Sequence, residues 1–73
     1  MITEVKLGDI LECDDRSRQY LCVVLSSYRD GMNRESFDVM WLTEEAIDKC
    51  FAQKHYILST VNNQKYADWR KVS

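Results

Sequence analysis

A chain of 73 residues, 45% apolar and 30% charged, is long enough for one small domain and too apolar to remain disordered. Its formal charge of −2, with acids and bases mixed throughout, opposes a general nucleic-acid coat or a role on an anionic membrane surface, because both need a positive field. No apolar stretch approaches a membrane span, and Met1 to Lys6 lacks a basic segment followed by an apolar core; a cytoplasmic monomer or small homo-oligomer is the expectation.

Val5, Leu7, Leu11 and Cys13 share one parity, with Lys6, Gly8 and Glu12 on the other. This alternation predicts a half-buried first strand interrupted at Gly8-Asp9, where glycine marks a bend or bulge. The polar break Asp14-Asp15-Arg16-Ser17-Arg18 follows. Its adjacent acids read as a solvated turn rather than a metal or acid–base pair, since no third ligand accompanies them. The run Tyr20 to Ser26 is apolar on both parities, which predicts a central strand with its second face covered by another element.

Asp30-Gly31 suits a two-residue type I′ hairpin. That turn places Val24 opposite Phe37, Cys22 opposite Val39 and Tyr20 opposite Trp41, an apolar or aromatic set on one face. A three-residue loop with a bulge, which Met32-Asn33 accommodates, would shift the partners and flip the face.

After Leu42 the period changes. Thr43 as N-cap, Glu44 and Glu45 in the first turn, and Ala46, Ile47, Cys50 and Phe51 at helical spacing predict one amphipathic helix from about Glu44 to Gln53. Leu42 and Ile47 match a hydrophobic staple, and Lys49, Lys54 and His55 gather at the cation-favouring end. Ile47, Cys50 and Phe51 are expected to dock the helix on the sheet and cover the second face of the central strand. Tyr56 to Val61 then returns to β-type residues, Asn62-Asn63 suits a tight turn, and Tyr66 to Val72 is expected to close the sheet against the first strand.

Little in the chain points to catalysis. Cys13, Cys22 and Cys50 form an odd set without Cys-x-x-Cys spacing and read as reduced, buried residues, neither disulfide-bonded nor zinc-binding. His55 is the only histidine and reads as a helix-end cation, and Ser26-Ser27 lacks the glycines of a nucleophile elbow. No catalytic residue, metal ligand or cofactor site is therefore assigned. The aromatic residues carry more. Tyr20, Tyr28, Trp41, Tyr56, Tyr66 and Trp69 exceed what so small a core buries completely, and Tyr, Trp and Arg are the usual interface anchors. Arg16 and Arg18 in the first predicted loop, with Arg29 and Arg34 in the second, would form a basic rim beside Tyr28 if the two loops shared one end of the molecule. Tyr28, Arg29, Trp41, Arg16, Arg18 and Arg34 are accordingly the candidate binding residues.

Leu7-Gly8-Asp9-Ile10-Leu11, Leu21 to Leu25, Asp38 to Trp41 and Asp68 to Val72 together resemble the layout of an SH3-like small barrel, similar to small SH3-like proteins encoded by bacteriophages. The expected fold is mainly β: a single five-stranded SH3-like domain over residues 1 to 73, with one amphipathic helix inserted before the penultimate strand. The resemblance implies binding rather than catalysis, here to a host protein that would be inhibited or redirected. A nucleic-acid-binding accessory barrel is the alternative. Gly8 to Leu11 with Val23 to Ser27 also resembles the first strands of MazF/PemK-type ribonuclease toxins, but Gln19-Tyr20 stands where their catalytic Arg-Pro step would fall.

Overall fold

The computed structural model describes residues 1–48 and 54–73. The fold is mainly β. Five antiparallel strands, β1 (Ile10–Asp14), β2 (Gln19–Arg29), β3 (Glu35–Trp41), β4 (His55–Ile57) and β5 (Asp68–Lys71), form one curled sheet in the order β4-β3-β2-β1-β5. This is the half-barrel expected of a small five-stranded barrel, with the predicted central strand in the middle and the last strand paired to the first. Two short helices, α1 (Glu44–Asp48) and α2 (Leu58–Asn62), complete it where one was expected.

The concave face is the core. Leu11, Cys13, Tyr20, Cys22, Val24, Phe37, Val39, Trp41 and Trp69 line it from four strands, and Ile2 and Val5 reach it from the N-terminal segment. Aromatic rings fill its centre. Trp69 lies 5.0 Å from Tyr56 and 5.8 Å from Trp41 between ring centroids, and Phe37 stacks on Tyr56 at 5.8 Å. Trp69 donates its indole N–H to Gln64 at 2.9 Å, which satisfies the one polar group a buried tryptophan brings.

The first strand bends where glycine stands. Gly8 takes φ +89°, Asp9 donates its N–H to the Lys6 carbonyl, and Leu7 is 73% exposed rather than on the buried parity. The β1–β2 connection is the expected polar turn. The Asp15 carboxylate accepts the N–H groups of Ser17 and Arg18, while Arg16 adopts φ +79°.

The β2–β3 hairpin differs from the two-residue turn. Arg29 pairs with Glu35, Tyr28 with Ser36, Ser27 with Phe37 and Ser26 with Asp38; beyond an irregularity between Val24 and Ser26, Val24 pairs with Val39 and Cys22 with Trp41. Asp30 and Arg34 close a loop whose central residues are Gly31, Met32 and Asn33. Asn33 donates its N–H to the Asp30 carbonyl and takes φ +60°, the left-handed position that ends a type I turn in three-residue hairpins. The Asp30 side chain secures the loop by accepting the N–H groups of Met32 and Arg34 and the guanidinium of Arg34. Lengthening the turn by one residue alone would point Tyr20, Cys22 and Val24 outward. The bulge at Leu25 restores the phase, so the same side chains face the core with different partners.

The helices also correct the expectation. In α1 the buried residue is Ala46, while Ile47 is 57% exposed and does not dock the helix; Leu42 is exposed too, so no staple forms. The Thr43 hydroxyl accepts the N–H of Leu21 across the sheet, and its backbone carbonyl receives Ala46 and Ile47. The predicted helix end, with docking through Cys50 and Phe51, lies outside the described residues. The expected strand from Tyr56 to Val61 ends after Ile57, where the chain turns into α2. Leu58 and Val61, three apart on one helical turn, are both buried, and the Asn62 side chain ties that turn to the N-terminus: its Oδ1 accepts the Ile2 N–H at 3.0 Å and its Nδ2 donates to the Ile2 carbonyl at 2.8 Å. Helix α2 packs against β3, β4 and β5, so it plugs the mouth between the two sheet edges.

Candidate functional site: the outer face of the sheet

Alternation along the strands fixes which side chains face away from the core. Val72, Ile10, Val23 and Met40 form a row across four chain segments, because Ile10 pairs with Val23, Val23 pairs with Met40, and Val72 donates its N–H to the Ile10 carbonyl. Ile10 and Val23 are half-buried; Val72 and Met40 are each 50% exposed. The next row carries Arg70, Glu12 and Leu21, followed by Leu42, whose N–H donates to Leu21. No element covers this apolar centre among the described residues, and Ile47 of α1 does not reach it. Exposed apolar side chains scattered singly need no explanation, but a row continuous across a sheet does.

Polar groups bound the row on both sides. Toward the hairpin, Ser26, Asp38 and His55 stand side by side on β2, β3 and β4, and Tyr28 reaches over them. Ser26 donates its hydroxyl to Asp38 Oδ2 at 2.8 Å, His55 Nδ1 lies 3.0 Å from Asp38 Oδ1, and Tyr28 Oη lies 2.9 Å from the same Nδ1 and 3.3 Å from the same Oδ1. The Ser26 hydroxyl first, then His55, holds the Asp38 carboxyl below the usual carboxylate value. An ionised carboxylate only accepts, so the network assigns the proton to Nδ1 of His55, which donates to Asp38 as Tyr28 does. Lost hydration, and then the Asp38 charge, push the Tyr28 hydroxyl upward.

On the opposite side, Glu12, Asp14, Gln19, Asp68 and Arg70 surround a shallow hollow. Arg70 donates to Glu12 at 2.8 Å. Asp14 and Asp68 stand directly opposite one another on β1 and β5, and neither enters an ion pair among the described residues.

Of the residues singled out in the sequence, only Tyr28 belongs to this face as an exposed aromatic group. Trp41 is 6% exposed and is a core residue. The four arginines do not form one rim: consecutive hairpins leave a strand at opposite ends, so Arg16 and Arg18 are separated from Arg29 and Arg34 by the length of the 11-residue β2. Three of them are held by acids: Arg18 by Glu45, Arg29 by Glu35 and Arg34 by Asp30. Arg16 donates to the Lys65 carbonyl. His55 is the first residue of β4, bound to Asp38, rather than a helix-end cation. Asp38 was the missed signal in the chain: a carboxylate between Phe37 and Val39, both on the buried parity, must face outward in mid-sheet.

The buried thiols are inert by environment. Burial pushes Cys13 up to about 11 and Cys22 up to about 12, so neither is a thiolate near neutrality. No described helix is long and apolar enough to cross a membrane. No family model, curated protein or solved structure matches this chain.

Proposed function

We propose that this domain is a non-enzymatic protein-binding module and that the outer face of its sheet is the surface it uses. The observation that carries the reading is the apolar row Val72, Ile10, Val23 and Met40, uncovered among the described residues and bounded by polar groups on both sides. An apolar centre with a polar margin is the anatomy of a protein interface. Tyr28, 41% exposed and held by Asp38 and His55, adds an ordered aromatic group at the margin. The split and acid-paired arginines favour this reading over a nucleic-acid interface, which needs a continuous positive track.

Site-resolved photo-crosslinking tests it. A crosslinker in place of Met40 should capture protein from a lysate of the source cells, and one in place of Lys65, away from this face, should not. Capture at Met40 should be lost when Val23→Asp is added. Equal capture from both positions, or capture that survives the added charge, would sink the assignment.

A further inference from the structure

We infer that the outer face receives a positively charged partner: a protein segment whose apolar side chains lie across Val23, Met40 and Val72 while flanking Lys or Arg side chains reach the carboxylates of Asp14 and Asp68. This rests on the reading of the face as a protein-binding surface and names the chemistry of its occupant.

The charge pattern supplies the argument. Asp14 and Asp68 are cross-strand partners on the same face as the apolar row, two rows away along β1 and β5. Like charges directly opposite each other destabilise a sheet. Other acids of the domain are each held by a cation: Glu12 by Arg70 on this face, and Glu45 by Arg18, Glu35 by Arg29, Asp30 by Arg34 and Asp9 by Lys71 elsewhere. The Asp14 and Asp68 pair enters no ion pair among the described residues; Arg70, at the edge of the same hollow, is bound to Glu12 and attracts Asp14 only more weakly. A cation from outside would relieve their repulsion and gain two acceptors at once. The apolar row beside them supplies the desolvated contact that makes such a charge pair count, since rim charges steer and select while the apolar centre holds. At the far margin Asp38 adds a further acidic group on the same face, roughly 20 Å from Asp14 at the rise of an antiparallel strand.

The test uses the whole 73-residue domain, isotope-labelled for amide chemical-shift mapping, and short synthetic peptides of alternating leucine and serine capped at both ends by lysine pairs, by glutamine pairs or by glutamate pairs. The lysine-capped peptide should shift the amides of Ile10, Val23, Met40 and Val72, bind more weakly as salt rises, and lose roughly tenfold in affinity in the double variant Asp14→Asn, Asp68→Asn. That variant removes a repulsion and should fold at least as well as the parent, which its melting curve checks. Shifts on this face of equal size with the glutamine- or glutamate-capped peptide would overturn the cationic partner while leaving a protein-binding face intact. Lysine-peptide binding unchanged in the double variant would do the same. A face left unperturbed by all three peptides, or covered by self-association in sedimentation, would overturn the binding face itself, and the inference with it.

Discussion

Phe37 and Met40 sit on the same strand three residues apart and face opposite sides of the sheet, so truncating each tests the assignment of faces on which the candidate site depends. Phe37 is 1% exposed, stacks on Tyr56 and meets Trp69 edge-on at 6.5 Å. Phe37→Ala should cost about 3–5 kcal/mol, the loss of a buried ring plus the cavity it leaves. The whole domain is stabilised by only about 4–11 kcal/mol at its length. With a urea dependence of about 1 kcal/mol per molar for a small protein, the midpoint should fall by roughly 3 M or more. Phe37→Leu keeps most of the volume but loses both aromatic contacts, and should cost about 1–2 kcal/mol, a graded control that still folds. Met40→Ala removes a half-exposed side chain and should move stability by less than about 1 kcal/mol. Urea unfolding followed by tryptophan fluorescence reads all three, because Trp41 and Trp69 are both in the core. Equal losses at Phe37 and Met40 would show that β3 does not present one face to the core and the other outward.

Three further outcomes follow from local chemistry. Cys13, Cys22 and Tyr56, the last pushed up to about 12 by burial, hold their protons more tightly folded than unfolded; their contribution is complete below the unfolded values of about 8.5 for a thiol and about 10 for a phenol, and is lost as pH rises toward about 12. Urea midpoints should therefore fall between about pH 9 and 12, less steeply in Cys22→Ala, and a flat profile would contradict the burial. Asn62→Ala removes both hydrogen bonds to Ile2 and should cost about 1–2 kcal/mol, with faster amide exchange at Ile2; unchanged exchange would mean the N-terminal segment is held by other contacts. Gly8→Ala meets no atom within 4 Å but must hold φ near +89°, so it should destabilise by about 1 kcal/mol through backbone strain alone, whereas Gly31→Ala should cost less because no positive φ is required there.

How much of this was legible in the chain depends on the range over which each feature is decided. The meander was legible because burial is written locally: Leu11 with Cys13, and Phe37 with Val39 and Trp41, reveal their face by alternation, and the unbroken apolar run from Tyr20 to Leu25 marks the central strand. The pairing between those strands was not, because loop length and bulge position compensate one another. A three-residue loop and a bulge at Leu25 leave the same inward set as a two-residue loop and no bulge, so the apolar pattern is blind to the choice, and only the partners change. Helix α2 escaped for the opposite reason: Leu58-Ser59-Thr60-Val61 favours a strand by composition, but Ile2, some 60 residues away, accepts and donates hydrogen bonds at Asn62 and helps hold the turn that buries Leu58 and Val61 together.

The candidate site lies at the junction of the two cases. That β2 is apolar on both faces was plain from Tyr20 to Leu25, and the inference that its second face needs a cover was sound physics. The chain offered Ile47 as part of that cover, yet Ile47 points to solvent and α1 contributes Ala46 to the core on the other side. Val23 and Met40 thus lack a roof among the described residues. The polar margin was hidden because Ser26, Tyr28, Asp38 and His55 are read as isolated residues until the three-residue loop sets Ser26 beside Asp38 and the short β4 brings His55 to its other side. The loop register thus assembles the margin, and the bulge beyond it keeps Val24, Cys22 and Tyr20 facing the core. A regular ladder obtained by deleting Leu25 should retain both, since Val24 would still face inward and Ser26 outward against the same partners. It should lose only the apolar side chain that Leu25, 50% exposed, adds to the face. The deleted variant is expected to stay folded, to keep the Tyr28–His55 contact visible in histidine ring shifts, and to bind the lysine-capped leucine peptide more weakly than the parent. A variant that unfolds would show that the bulge itself, through the Asp9 and Gly8 backbone bonds to Val24, is what secures the bend of the first strand.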